Sequence, residues 1–370
     1  MNISKNDRVW FLGLAGGAGA RYCQLPLLRS ILKKREKSEA IVIADSTGIG
    51  QQAANVLENV VAVNIPEFPT SFPHNPGLMA DKDGFLEFPV WIDSWRESYL
   101  RYRGDADNIH DIIMNNLERV FHIEYGFALT KLIHLESHKR EPSFISSLYA
   151  KVSGLEYDGG IPIAGIKERN KEVDNYVKSL PKPMILFHIG ADKSPHDLTN
   201  SMIYRDWKVW SLKRWGELAQ HLSAKYSVVQ CYAGDFNPEI PNVKSFRINS
   251  FDTMYQLLEN CKFFVATDNV LVHCAASQKK KGIVLWGQTP KVWMWKYNQS
   301  YYVFNEHSCS VAGNCWQPGM YAIGQNGSNW ICPNGYSCMK SITVRQVLDK
   351  IEKLEQDILV QPKKKVIFSE

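Results

Sequence analysis

The chain has 370 residues, 45% hydrophobic and 22% charged, with 43 Lys and Arg against 38 Asp and Glu for a formal charge of +5. That length exceeds what one core usually supports, so two domains of roughly 150 to 200 residues are expected. The composition excludes a disordered chain, the charge excess is too small to demand a nucleic-acid partner, and no run of about 18 uncharged apolar residues is present to span a membrane. Asn6, Asp7 and Arg8 precede only a short, glycine-rich apolar stretch, which does not read as a secretory signal, so a cytoplasmic location is expected.

Val9 to Leu14 is the first strand candidate. It is followed by Gly16, Gly17 and Gly19 and then by a helix carrying Leu25, Leu27, Leu28, Ile31 and Leu32 at helical spacing. A glycine-rich turn after a strand lets a backbone or ligand approach closely, but AGGAGAR lacks the full dinucleotide spacing. Asp45 is the nearest acidic residue to the end of the second strand, Ile41 to Ala44; a helix over Gly50 to Leu57 and a strand over Val60 to Val63 continue the alternation. Strands alternating with helices predict a mostly parallel sheet with ligand sites at the carboxyl ends of its strands.

Prolines at 66, 69, 73, 76 and 89 break up residues 64 to 108, which read as loop-rich surface. The stretch Arg96 to His110 supplies Asp105, Asp107 and His110 as candidates for acceptor binding and proton transfer; a solvated polar loop is the competing reading. Helices are expected within 111 to 153, and a polar helix over Glu168 to Leu180 ends before Pro181 and Pro183, where we place the domain boundary.

Met184 to Phe187 has the composition of a strand buried on both faces, breaking at His188 and Gly190 into a polar loop with Lys208; Ser211 then reads as the N-cap of a helix through Trp215, Leu218, Ala219 and Leu222. Such a strand, loop and helix can bind an anion, or can be an ordinary crossover with an exposed lysine. Further strands are expected at Tyr226 to Tyr232, Val243 to Phe246, Phe263 to Ala266 and Gly282 to Trp286. Helices are expected over Phe251 to Asn260 and from the region of His273. This half reads as Rossmann-like. Cys309, Cys315, Cys332 and Cys338 gather within 30 residues, as C-x5-C-x16-C-x5-C, wider than a zinc knuckle; a metal site, reduced thiols and disulfides all remain open. Val344 to Leu359 is an amphipathic helix with Val347, Leu348, Ile351, Leu354 and Ile358 on one face.

Taken together, His188-Ile189-Gly190-Ala191, Lys208-Val209-Trp210 with Arg214-Trp215, Thr267-Asp268-Asn269-Val270-Leu271-Val272-His273, Gly287-Gln288-Thr289 and Cys338-Met339-Lys340-Ser341-Ile342-Thr343 resemble, in order and spacing, glycosyltransferase family nine. These are the ADP-heptose:lipopolysaccharide heptosyltransferases. The match covers about 150 residues, and Leu25-Pro26-Leu27-Leu28-Arg29 supports it in the first half. Ala20 stands where the family's N-terminal turn usually carries an aspartate thought to act as base, and Asn269-Val270 replaces the Thr-Gly that holds the diphosphate.

The resemblance implies an α/β chain of the GT-B fold, two Rossmann-like domains facing each other across a cleft. Residues 1–180 would form the N-terminal acceptor-binding domain and 181–343 the C-terminal nucleotide-sugar donor-binding domain. Residues 344–370 would be a helix and tail, the helix packing back on the N-terminal domain. It implies an inverting transfer of heptose or a related sugar from a nucleotide-diphosphate donor to a hydroxyl of lipopolysaccharide or protein. A phage-type enzyme glycosylating modified DNA bases, and an inactive nucleotide-sugar-binding protein, are the alternatives.

Transfer of this kind needs a stabilised leaving diphosphate and a base, but no cofactor. Lys208 and the helix start Asn269 to His273 are assigned to the diphosphate, and His188, Gly190, Gly287 and Thr289 to the donor pocket. His273 donates to a phosphate or is a structural partner, Asp268 binds sugar hydroxyls or caps the helix, and Glu239 is assigned to the ribose. Asp107 is preferred as the base, ahead of Asp105, His110 and Asp45. Some protein O-heptosyltransferases resembling this family carry cysteine-bound iron late in the chain, which favours a structural Zn or Fe at the four cysteines. Nothing in the sequence sets the oligomeric state.

Overall fold

A computed structural model of the chain describes residues 9–14, 18–34, 40–45, 47–58, 60–64, 145–152, 156, 157, 159, 161–190, 210–233, 239–241, 243–287, 297, 299–305 and 337–360. Among these residues nine strands and ten helices form two all-parallel sheets. The first runs in the order β1 (Val9–Gly13), β2 (Ala40–Asp45), β3 (Val60–Asn64). Its helices are α1 (Ala18–Gln24), α2 (Leu27–Lys34) and α3 (Ile49–Ala54). One continuous helix was the expectation after the glycines; two are found. Pro26 has no N–H to donate and pushes Leu25 away from helical geometry, so α1 closes with Leu25 N–H on the Tyr22 carbonyl at 3.2 Å.

The second sheet contains β4 (Met184–His188), β5 (Ser227–Tyr232), β6 (Lys244–Arg247), β7 (Phe264–Thr267), β8 (Gly282–Trp286) and β9 (Ser300–Phe304). The edge strand β9 is not among the strands expected from the sequence. The spatial order β6-β5-β4-β7-β8-β9 becomes 3-2-1-4-5-6 when the strands are counted within this sheet. That is the doubly wound dinucleotide-binding order, and it reverses direction between β4 and β7.

Between the sheets in sequence lie α4 (Ile145–Val152) and α5 (Lys171–Lys178), followed by α6 (Leu212–Ser223), α7 (Phe251–Asn260), α8 (Val270–Ser277), α9 (Ser337–Lys340) and α10 (Val344–Val360). Side chains alternate along a strand, so each strand feeds two cores. Ile185, Phe187, Val265, Ile283 and Leu285 pack in one core with Trp215, Leu218, Val347, Ile351 and Leu354 of α6 and α10. Leu186, Val229, Phe264, Ala266 and Val284 face the other way, towards α7 and α8. That second core continues without a break into Tyr22, Cys23, Leu28 and Ile49 of the first half.

Among the described residues the last helix, α10, packs on its own sheet, against α6, β8 and β9. Its apolar stripe fills the face that α6 leaves open, and polar ties fix the register. Tyr226 donates to Glu355 and Tyr301 to Asp357. A capping box begins the helix: Gln346 N–H donates to Thr343 Oγ1 at 3.2 Å, and Thr343 N–H to Gln346 Oε1 at 2.8 Å.

Helix α5, read as the end of the first domain, docks on α7 of the second sheet. Asn170 N–H donates to Gln256 Oε1 at 2.7 Å, and Gln256 Nε2 donates back to the Asn170 carbonyl at 2.9 Å. Tyr176 and Phe246 stack with ring centroids 4.7 Å apart. No described helix is long and apolar enough to cross a membrane.

Ser211 caps α6 as expected, accepting from Arg214 N–H at 3.4 Å. The two tryptophans that flank this cap are structural. Trp215 lies 5.0 Å from the Phe187 ring and 5.2 Å from that of Trp210, and Trp210 Nε1 donates to the Ile342 carbonyl at 2.9 Å. Both are fully buried. Replacing Trp215 with Ala should cost about 3 to 5 kcal/mol, read as a lowered urea midpoint. A loss below about 1 kcal/mol would show that the α6 face is not the packed core described.

Candidate functional site at the sheet switch point

Ligands of doubly wound sheets sit outside the carboxyl ends of the strands, where the strand order reverses. Here that point lies between the ends of β4 and β7, and Asn269 joins them. Its Nδ2 donates to the His188 carbonyl and to Thr267 Oγ1, both at 3.3 Å, while its Oδ1 accepts from Leu271 N–H at 3.0 Å. Asn269 is therefore the N-cap of α8. That role had been considered for Asp268, and the helix begins three residues before the expected His273. Gly190, two residues past β4, has φ of +90° and turns the chain off the strand in the left-handed region that glycine tolerates. Around this junction the positive end of α8 and the turn at His188 to Gly190 converge, an arrangement that favours a negatively charged ligand group.

The first half of the chain meets this junction directly. A Cβ on Gly19, in the first turn of α1, would lie 3.1 Å from Cδ2 and 3.2 Å from Nε2 of His273, so any side chain there would require the ring to give by a few tenths of an ångström. The other ring nitrogen of His273, Nδ1, is 3.3 Å from the Tyr297 hydroxyl. Asp268 is 6% exposed and close enough to act across the seam. Burial first, and then the Asp268 carboxylate, push the Cys23 thiol of α1 upward; Tyr302 is raised mainly by burial, with Asp268 adding to it.

A second contact line ties the halves together. Tyr22 of α1 donates to Gln52 Oε1 of α3, and Gln52 Nε2 donates to Asp252 Oδ1 in the first turn of α7 at 2.9 Å. Tyr22 also meets Phe251 edge-on, with centroids 6.2 Å apart.

The expected site residues divide into three groups. His188, Gly190, Asp268, Asn269 and His273 are brought to the switch point, with Gly19 against His273. Gly287 follows the end of β8 and is buried, and Glu239 is exposed in the connection between β5 and β6. Asp105, Asp107, His110, Lys208, Thr289, Gly16, Gly17, Cys309, Cys315 and Cys332 lie outside the described residues. Cys338 is buried in α9, and among the described residues no three His, Cys, Asp or Glu side chains cluster as metal ligands.

Asp45 does not suit the role of base. It is 2% exposed, ion-paired to the fully buried Arg21, and accepts from Thr47 N–H at 3.1 Å and from Gly50 N–H at 2.9 Å, so it holds the start of α3. Tyr297 and Tyr302 were missed by sequence reasoning. Tyr297 precedes the unexpected strand β9 and Tyr302 lies within it, and no motif pointed to them.

Comparison with known proteins bears on this same segment. Residues 247–313, from the end of β6 through β7, α8, β8 and β9, match the model for Glycosyltransferase family 9 (heptosyltransferase). The chain resembles family 9 at its switch point. Among solved structures, a family 9 glycosyl transferase from Veillonella parvula DSM 2008 has a TM-score of 0.59 at 14% identity, covering 96% of this chain and 99% of its own. E. coli ADP-heptose lps heptosyltransferase II has a TM-score of 0.53 at 14% identity, covering 95% and 100%. The iron-containing dodecameric glycosyltransferase TibC of enterotoxigenic E. coli H10407 has a TM-score of 0.57 at 14% identity, covering 97% and 79%. A search of curated protein sequences found no match.

The fold is thus GT-B, and the family match indicates a glycosyltransferase. On this frame the switch point of the second sheet is the glycosyltransferase's candidate donor site, facing α1 of the first.

Two outcomes test the geometry. Asn269→Ala removes the α8 cap and the bridge between strand ends, and should lower stability by about 1 to 2 kcal/mol in chemical denaturation; no change would mean that the cap carries no load. Burial also pushes the Cys261 and Cys274 thiols from near 9 up to about 12. Unfolded thiols ionise near pH 9 while these stay protonated, so the unfolded state binds fewer protons. The urea midpoint should therefore fall as pH rises from about 9 towards 12, and a flat or rising midpoint would contradict this.

Proposed function

We propose that this glycosyltransferase moves a heptose or related sugar from a nucleotide-diphosphate donor to a hydroxyl acceptor on lipopolysaccharide or protein, with inversion at the anomeric carbon. The observation that carries the reading is the coincidence of the family 9 match with the switch-point segment β7–α8–β8. One solved structure with this fold is TibC in complex with ADP-D-beta-D-heptose. In the proposed arrangement the nucleoside lies over the carboxyl edge of the second sheet, with Glu239 near its ribose. The diphosphate lies at the start of α8, where the positive end of the helix and Lys208 offset the charge that builds on the leaving group. Asp268 binds donor sugar hydroxyls, and the turns at Gly190 and at Gly287 to Thr289 wall the pocket.

Residues 1–180 would supply the acceptor side through Gly16, Gly17 and Gly19. Asp107, with Asp105 and His110 as alternates, takes the proton from the acceptor hydroxyl. That hydroxyl attacks the anomeric carbon from the face opposite the departing nucleotide diphosphate.

We also assign Cys309, Cys315, Cys332 and Cys338 as ligands of a structural zinc or iron, apart from the transfer chemistry. Cys338 is buried in α9 among apolar side chains, and the other three cysteines would have to reach it for this assignment to hold.

Three measurements test these assignments. A nucleotide that binds only the folded state stabilises it by about 2.7 kcal/mol at 100 times its dissociation constant, so ADP or an ADP-sugar should raise the Tm by several degrees. If no nucleotide moves the transition, the donor reading fails. Asp107→Asn should reduce transfer by about 100-fold or more with donor affinity unchanged; near wild-type transfer would remove Asp107 from the mechanism. Protein purified without chelator should hold close to one zinc or iron per chain, and a folded, metal-free protein would end the metal assignment.

A further inference from the structure

The strands of the second sheet all run the same way, so their amino ends share one edge, opposite the candidate donor site. Lysines collect there. Lys182 precedes β4, Lys225 precedes β5, Lys262 precedes β7, and Lys279, Lys280 and Lys281 lead into β8. Several of the ammonium groups are held in place by neutral partners, which leave the charge uncancelled. Lys182 Nζ donates to the Ser223 and Ala224 carbonyls at the end of α6, at 2.6 and 3.0 Å. Lys280 Nζ donates to the Glu259 and Cys261 carbonyls at the end of α7, at 3.0 and 2.7 Å, and Lys281 Nζ to the Asp357 carbonyl of α10 at 3.1 Å. The carboxylates of Glu355, Asp357 and Glu259 beside them are engaged by Tyr226 and Lys225, by Tyr301, and by Arg169 respectively.

Helix C-termini attract cations, which accounts for Lys182, Lys280 and Lys281. It does not account for Lys279. Helix α8 ends in a Schellman turn, in which Lys279 N–H donates to the Ala276 carbonyl and Lys280 N–H to the Ala275 carbonyl, both at 2.9 Å. Lys279 takes the left-handed position, with φ of +53°, and is the one non-glycine residue among the described residues with a positive φ. Glycine is the usual occupant there, because a Cβ is strained. A lysine in its place, with the side chain exposed, adds charge to this edge where glycine would relax the backbone. Helix α10 also ends at this edge, where Leu359 is 80% exposed. The sequence runs on through Lys363, Lys364 and Lys365 to Val366, Ile367 and Phe368.

We propose that this edge docks the protein on an anionic lipid surface. Cations alone would suit a nucleic-acid backbone equally well, but apolar side chains such as Leu359 and Val366 to Phe368 find no partner on phosphates, whereas beside lysines they enter a lipid headgroup layer. Docked in this way, the protein turns its carboxyl edge and candidate donor site towards water. The full chain should co-sediment with phosphatidylcholine vesicles that contain phosphatidylglycerol and not with phosphatidylcholine alone, and should be released as salt rises from about 50 to 500 mM. Lys279→Gly separates docking from folding. It relaxes the backbone, so the Tm should hold or rise, while vesicle affinity falls by about 3- to 5-fold, the loss of one lysine at such a surface. Leu359→Ser should also weaken vesicle binding with the Tm unchanged. Equal binding to neutral and anionic vesicles, no binding at low salt, or an affinity unmoved by Lys279→Gly or by Leu359→Ser overturns the proposal. Tighter binding to duplex DNA than to the anionic vesicles at the same salt overturns it too, and would assign the edge to nucleic acid.

Discussion

The contact on which the rest depends is the close approach of α1 to α8. Gly19 has no side chain to crowd the His273 ring, which lies against the helix there. The same approach buries Tyr22, Cys23 and Leu28 in one core with Leu271, Cys274 and Ala275. A seam of this kind differs from a wet cleft between loosely tethered domains, since its apolar part is a continuous core. Its polar part is satisfied by the Tyr22–Gln52–Asp252 chain. Buried polar chains with every member bonded fix one arrangement, because any other leaves a donor or acceptor dry.

The sheet order then decides where chemistry can occur. With β4 and β7 adjacent at the centre, the chain leaves their carboxyl ends in opposite directions and opens a crevice between them. Asn269 spans this crevice at its floor and caps α8 in the same gesture. The seam with α1 adjoins it, so the candidate donor site takes its base from the second half and one flank from the first. This explains how residues as far apart as Gly19, His188 and His273 come to serve one region.

Much of this was legible in the sequence, and for physical reasons. Strands buried on both faces, such as Met184 to Phe187 and Gly282 to Trp286, read clearly because continuous apolar runs bounded by glycine have few other uses. Ser211 was legible as a cap because its side-chain oxygen answers a local need. Asp268 and Asn269 were harder to separate, since either could cap α8 and only the backbone decides. Trp210 and Trp215 fill the core, as the helical spacing of Trp215 with Leu218 and Leu222 suggested, because burying so much ring area is worth more than exposing it. Strand β9 and Tyr297 were not read: Ser300 to Phe304 is short and carries no motif, and the contact of Tyr297 is with His273 on α8, 24 residues away. The apolar stripe of α10 showed that the helix is buried without showing against what; among the described residues it lies on its own sheet.

The central claim is that a nucleoside diphosphate occupies the crevice between the ends of β4 and β7. A crystal structure of the protein with ADP tests it most directly. The account predicts the diphosphate within hydrogen-bonding distance of the backbone N–H groups at the start of α8, with the nucleoside over the carboxyl edge of the second sheet. ADP bound away from that edge, or no ADP bound at saturating concentration, would contradict it.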